Sequence, residues 1–208
     1  MTVRVEFFYD LSSPWTRLAF HNFRAAIAGR DVAVTWRPFL VGGVFNAVNQ
    51  SVYDSRANPD NPKFRLSFTW LKEWARLAGL AMNFPSSHHP VKSVNAMRFC
   101  CALEYRPEDL LAFSEAAFEA YFGDARNIDE PDVLEDVANA CGLDGAALRA
   151  AAGDDAVKAR LRASTEEAIA RGAYGSPTIF VDGAFMYFGN DQLPLVMQRI
   201  AMLEAEAG

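Results

Sequence analysis

The order in which its hydrophobic periods change constrains this chain most. Val3, Val5, Phe7 and Tyr9 alternate with Arg4, Glu6 and Phe8, the period of two expected of a strand with one mostly apolar face. Ser13 precedes Pro14, which suits a first helical position because proline lacks only an N–H that would be unpaired there. A helix is expected from Pro14 to about Ala28, ended by Gly29, and Val32, Val34 and Trp36 then alternate again. Two strands joined through one helix predict a parallel pair with a right-handed crossover. From about Val41 to Pro62 the chain is rich in Gly, Asn, Ser and Pro and reads as a long loop.

Helical spacing follows in five stretches, roughly Pro62 to Ala78, Val91 to Leu103, Pro107 to Phe122, Pro131 to Cys141 and Asp154 to Arg171. Strand character returns at Thr178 to Val181. Asp182-Gly183 suits a two-residue type I′ turn, Ala184 to Phe188 reads as the partner strand, and a last helix is expected from about Asp191 to Glu204. The order is βαβ, a block of helices, then ββα. It predicts an α/β chain whose residues 1–60 and 173–208 form one discontinuous domain, with 61–172 as an inserted helical domain.

The 208 residues are 51% apolar and carry a formal net charge of −6, which argues against a nucleic-acid partner. No apolar run approaches the roughly 20 residues that span a bilayer, and the first residues lack a secretory layout, so no membrane partner and a cytoplasmic location are expected. Cys100, Cys101 and Cys141 form no Cys-x-x-Cys and are read as buried thiols. His88 and His89 have no third ligand in view, so no metal site is expected.

Two segments stand where the strands meet other elements. Ser13-Pro14-Trp15-Thr16 opens the first helix, and Ser176-Pro177-Thr178 leads into the third strand. Ser13 reads as a helix N-cap, worth about 1 kcal/mol. A hydroxyl there also faces the unpaired N–H groups and positive dipole end of the helix, which favour a bound anion such as a thiolate. Asp191 can likewise serve as a simple cap, and Lys63 as an exposed lysine.

Tyr9-Asp10-Leu11-Ser12-Ser13-Pro14-Trp15 through Ala19, Arg37-Pro38-Phe39-Leu40-Val41-Gly42-Gly43-Val44-Phe45 and Phe188-Gly189-Asn190-Asp191-Gln192-Leu193 resemble, in order, segments of the 2-hydroxychromene-2-carboxylate isomerases and kappa-class glutathione transferases. These belong to the DsbA-like group of thioredoxin-like folds. The resemblance covers nearly the whole chain. It implies glutathione as cofactor, an aromatic small-molecule substrate and a homodimer.

Residue by residue, the resemblance implies Ser13 as the catalytic residue that orients the glutathione sulfur, with Thr16 at a second hydroxyl position. Ser176, joined to Pro177 by a cis peptide, would pair through its backbone with the cysteinyl part. Asn190 and Asp191 would meet the γ-glutamyl end, Lys63 the glycyl carboxylate, and either Asn49 or Gln50 would supply an amide contact. Trp15 falls where an aromatic is usual, as pocket wall or as core. Arg17, Lys92 and Gln192 depart from the family pattern, and Arg17 and Lys92 are candidates to recognise a substrate carboxylate. The implied activity is glutathione-dependent isomerisation of an unsaturated aromatic 2-hydroxy or oxo acid. Net glutathione transfer and a non-catalytic thiol-peptide module are the alternatives.

Overall fold

The computed structural model describes residues 2–53, 58 and 60–206. Strand β1 (Val3–Tyr9) is central, with β2 (Val32–Pro38) parallel on one side in the register Val5 to Val34 and Phe7 to Trp36. Helix α1 (Pro14–Ile27) makes the crossover. β3 (Thr178–Val181) runs antiparallel on the other side of β1, and β4 (Phe185–Phe188) antiparallel to β3, giving the order β2-β1-β3-β4. Asp182 and Gly183 both have positive φ, at 50° and 72°, and the Ala184 N–H donates to the Val181 carbonyl at 3.3 Å. The turn therefore has the expected handedness. Pairing resumes one residue later than expected, with Phe185 opposite Val181.

Alternation along β1 sends its side chains to two covered faces. Val3, Val5, Phe7 and Tyr9 meet α1 through Phe20 and Phe23, and the C-terminal helix through Val196 and Ile200. Trp36 completes this face, its ring centroid 5.0 Å from Phe7 and 4.8 Å from Phe20. On the opposite face Phe8 and Phe180 pack with Phe39, Val44 and Ala168. Burying large aromatic side chains on both faces fixes β1 as the middle of the molecule.

The segment expected to be a long loop begins with a helix, α2 (Val41–Val48). Two glycines in its first turn give it poor intrinsic propensity. Packing supplies what propensity does not: Val44 is fully buried, and a Cβ on Gly43 would lie 3.0 Å from the Thr165 methyl group. Residues 54–57 and 59 of the expected loop lie outside the described residues.

The helices between the strand pairs are α3 (Pro62–Ala78), α4 (Val94–Ala102), α5 (Pro107–Phe118), α6 (Pro131–Ala140), α7 (Gly145–Ala152) and α8 (Asp155–Ala170). α4 starts three residues later than expected. The helix expected to end at Phe122 instead passes at Glu119 into one wider turn with i→i+5 bonding, Glu119–Gly123. α7 was not expected: Leu148 is its one large buried side chain, and alanines hide the period, although Asp144 caps it by accepting from the Ala147 N–H at 2.9 Å. After a single tight turn, Asn190–Gln192, the chain ends in α9 (Leu193–Glu206). The core beside α1 runs without a break into α4 to α8 through Phe99, Phe113, Leu134, Leu148 and Leu161.

Candidate functional site

Ser13 sits at the N-cap of α1 with extended backbone, φ −93° and ψ 119°, and its Oγ accepts from the Thr16 N–H at 3.2 Å. The same hydroxyl donates to the Ser176 carbonyl at 3.1 Å. The Ser176–Pro177 peptide is cis. The Ser176 side chain is held in turn: its Oγ lies 2.7 Å from Thr16 Oγ1 and accepts from the Asp10 N–H at 3.0 Å. Two of these bonds clasp the start of α1 to the loop before β3, and a third ties the same loop to Asp10 after β1. None of the described hydrogen bonds uses the N–H of Trp15 or of Ser176, and these two donors remain available beside Ser13.

A cavity of about 310 Å³ opens at this clasp. Ser13, Trp15, Asn49 and Ser176 line it, with Phe45 and Phe68 among its apolar walls. Asn49 is anchored by donating from Nδ2 to the Tyr174 carbonyl at 2.9 Å. Gln50 does not line the cavity; it is exposed and donates to the Asn46 carbonyl of its own turn at 3.1 Å. Lys63 is exposed in the first turn of α3, beside Phe64, which does line the cavity. Asp191 borders a separate surface depression that shares Phe188 with the cavity. Asn190 is buried and accepts from Asn22 Nδ2 at 2.9 Å, while its own Nδ2 has no partner.

Arg17 is not in this cavity. One turn after Ser13, its side chain reaches the helical segment, where it donates to the Phe118 carbonyl at 3.0 Å and pairs with Glu119. Its side chain is only 3% exposed, and burial lowers its pKa against the opposing pull of Glu119. Lys92 is exposed and lines a second cavity that adjoins the first.

A model described as the DSBA-like thioredoxin domain matches residues 4–201. The chain belongs to the DSBA-like thioredoxin family. It is 26% identical over 213 residues to the 2-hydroxychromene-2-carboxylate isomerase of Pseudomonas putida, covering 98% of this chain and 94% of that one. It is 28% identical over 206 residues to glutathione S-transferase kappa 1 of Rattus norvegicus, covering 92% and 88%. Among solved structures, a 2-hydroxychromene-2-carboxylate isomerase superposes with a TM-score of 0.79 over 99% of both chains at 23% identity. The cytosolic disulfide reductase DsbM of Pseudomonas aeruginosa with GSH superposes with a TM-score of 0.64 over 98% of both at 18% identity. These structures share the fold.

This DSBA-like chain keeps its thiols away from the cavity. Cys100 and Cys101 are buried in α4, where burial pushes their thiols up to about 12 and about 11. Cys141, expected to be buried, is half-buried at the end of α6, with Sγ 3.7 Å from the Ala112 carbonyl. Among the described residues no group of His, Cys, Asp and Glu is placed to hold a metal ion, and no helix is long and apolar enough to cross a membrane.

The residue that sequence reasoning passed over is Asp10. It is fully buried, in no ion pair among the described residues, and each carboxylate oxygen accepts two hydrogen bonds. Oδ1 takes the Ser12 N–H at 2.9 Å and the Ser12 hydroxyl at 2.8 Å; Oδ2 takes the Val41 N–H and the Ser93 hydroxyl, both at 2.9 Å. Burial raises its pKa, and these four bonds pull it back. The local half of this pattern, an aspartate bonding the N–H two residues on, is an Asx-turn that the sequence permits. The links to Val41 and Ser93 depend on the fold. Through them Asp10 caps α2, whose N-cap residue Leu40 has no side-chain acceptor to offer.

Proposed function

We propose that this protein is a glutathione-dependent isomerase of the 2-hydroxychromene-2-carboxylate type, acting on an unsaturated aromatic 2-hydroxy or oxo acid. One observation carries the reading: an oriented hydroxyl, Ser13, stands at a helix N-terminus and at the mouth of a cavity whose lining contains no cysteine. Such a site favours a thiolate brought by another molecule. The donors suit glutathione. The Ser13 hydroxyl and the N–H of Ser176 are available to a cysteinyl unit, with the Asn49 amide in the same lining. Lys63, next in the chain to the cavity-lining Phe64, would meet a carboxylate, and Asp191, in the depression that shares Phe188, would meet an amino group.

When bound, glutathione would supply a nucleophilic sulfur capable of reversible addition to a conjugated carbon. Ser13 would turn its hydroxyl from the Ser176 carbonyl to that sulfur, and the Trp15 N–H and the dipole of α1 would favour the same negative charge. Ser176 fixes the peptide as an added strand would. Trp15 and the phenylalanine walls hold the aromatic acceptor and keep water out.

The test is a titration with glutathione followed at the ultraviolet thiolate band, in parent and Ser13→Ala protein. The reading expects an ionised sulfur at neutral pH in the parent and a weaker band with slower turnover in the variant. An unchanged band and an unchanged rate would remove Ser13 from the mechanism. Product analysis separates isomerisation, which returns free glutathione, from transfer, which consumes it.

A further inference from the structure

The second cavity, of about 330 Å³, shares Ser12, Val41, Phe45 and His89 with the first and is also bounded by Lys92 and Ser93. Asp10 lies behind this common wall. A serine hydroxyl has one proton, and both Ser12 and Ser93 give theirs to the Asp10 carboxylate. What either oxygen can offer a ligand is then a lone pair. Asp10 in this way sets two hydroxyls, which elsewhere donate or accept as required, in the accepting sense. Lys92 lines the second cavity, next in the chain to Ser93, as a cation in no ion pair among the described residues.

Two oriented acceptors and one cation lining one cavity define the complementary ligand edge. A hydroxyl donates to the serine oxygen, and a carboxylate meets the ammonium group. A ligand lacking the hydroxyl leaves a desolvated acceptor unpaired, and sites of this kind discriminate strongly against such analogues. Since Ser12 precedes Ser13 in the chain and lines both cavities, an acceptor held by that edge extends its side chain toward the start of α1.

We propose that the second cavity binds the hydroxyl and carboxylate edge of the aromatic substrate, with Ser12 or Ser93 taking the hydroxyl, Lys92 the carboxylate, and Asp10 acting as the positioning residue. The assignment rests on the first cavity as the thiol site, and it gives that site its selectivity for 2-hydroxylated aromatic acids.

Three matched probes test it without glutathione: 2-hydroxycinnamate, cinnamate and 2-hydroxycinnamamide, each titrated calorimetrically into the full chain. The parent protein binds the first at least about tenfold more tightly than either of the others, a difference equivalent to one factor of ten in the equilibrium constant. Lys92→Gln removes the advantage of the acid over the amide. Of Ser12→Ala and Ser93→Ala, the variant that loses the hydroxyl acceptor reduces the advantage of the hydroxylated acid over cinnamate while cinnamate binding persists, a selective loss that general loosening does not produce. Asp10→Asn, where it folds, reduces the same hydroxyl preference; where it does not fold, the two serine variants decide. Equal binding of all three probes by the parent, no binding of any of them, unchanged selectivity in Lys92→Gln, or unchanged selectivity in both serine variants overturns the assignment. The thiolate titration separates the two readings: selective probe binding without ionised glutathione sinks the thiol site and supports the acid site, whereas ionised glutathione without probe selectivity sinks the acid site alone.

Discussion

The Ser13 hydroxyl donates to the Ser176 carbonyl across 3.1 Å, joining residues 163 positions apart in the chain. One oxygen therefore serves three ends: it accepts from the Thr16 N–H, it donates to the loop before β3, and it faces the cavity. Its proton is already oriented at the helix start, and redirecting it to a sulfur requires only rotation about the Cβ–Oγ bond.

Replacing Ser13 by alanine removes both bonds. Loss of the cap lowers stability by about 1 kcal/mol. Loss of a hydrogen bond to a charged sulfur is worth about 1.5–3 kcal/mol, so the pKa of bound glutathione should rise by roughly one to two units. Denaturant unfolding reads the first effect and the pH midpoint of the thiolate band reads the second. A variant that is less stable but keeps the wild-type midpoint would reduce Ser13 to a helix cap.

Much of this arrangement can be read from sequence because its causes are local. The period-two runs at Val3 to Tyr9 and Val32 to Trp36 place the strands, and Ser13-Pro14 marks the helix start through capping rules that act within one turn. The helix at Val41 cannot be read this way, since its cap comes from Asp10 and its packing from Thr165 on α8, both remote in sequence. The partners of Arg17 are equally illegible: they lie in the turn around residues 118–119, and nothing near Arg17 in the chain reveals them.

Arg17→Met tests whether Arg17 serves packing or the site. The guanidinium loses the Phe118 carbonyl and Glu119, but the methionine keeps much of the buried volume, and Glu119 is exposed enough to be rehydrated. A stability loss of about 1–2 kcal/mol is expected, with the glutathione thiolate band in place. Loss of the band in a variant of near-normal stability would return Arg17 to the site.

Asp10 makes stability depend on pH in a defined direction. Its carboxyl is raised by burial, so ionisation opposes folding: its contribution is fully present below the unfolded pKa and is lost as pH rises through the folded value. Asp10→Ala leaves the N–H groups of Ser12 and Val41 unpaired, an expected cost of about 2–4 kcal/mol. The stability gap between parent and variant should be widest in acid and narrow as pH rises from the ordinary aspartate range through the raised one. Unfolding curves measured across that range check the sign, and a gap that widens with pH contradicts it.

The three cysteines provide the last test, because a disulfide mechanism and a borrowed-sulfur mechanism make opposite demands on them. A reactive thiol must be both ionised and reachable. Cys100 meets neither condition: it is buried against Ser114, and its thiol is pushed up to about 12. Cys101 is buried beside Glu104, with its thiol raised to about 11. Cys141 is half-buried and raised by desolvation, which leaves it the most accessible of the three. Alkylation of the folded protein near neutral pH, mapped by mass spectrometry, should therefore label Cys141 first, and Cys100 and Cys101 at rates that follow opening of α4. Replacing all three with alanine or serine should leave the thiolate band of bound glutathione intact wherever the variant folds. Rapid labelling of Cys100 in the folded chain, or loss of the band in a folded cysteine-free variant, would place the working sulfur in the protein itself and end the case for an external one.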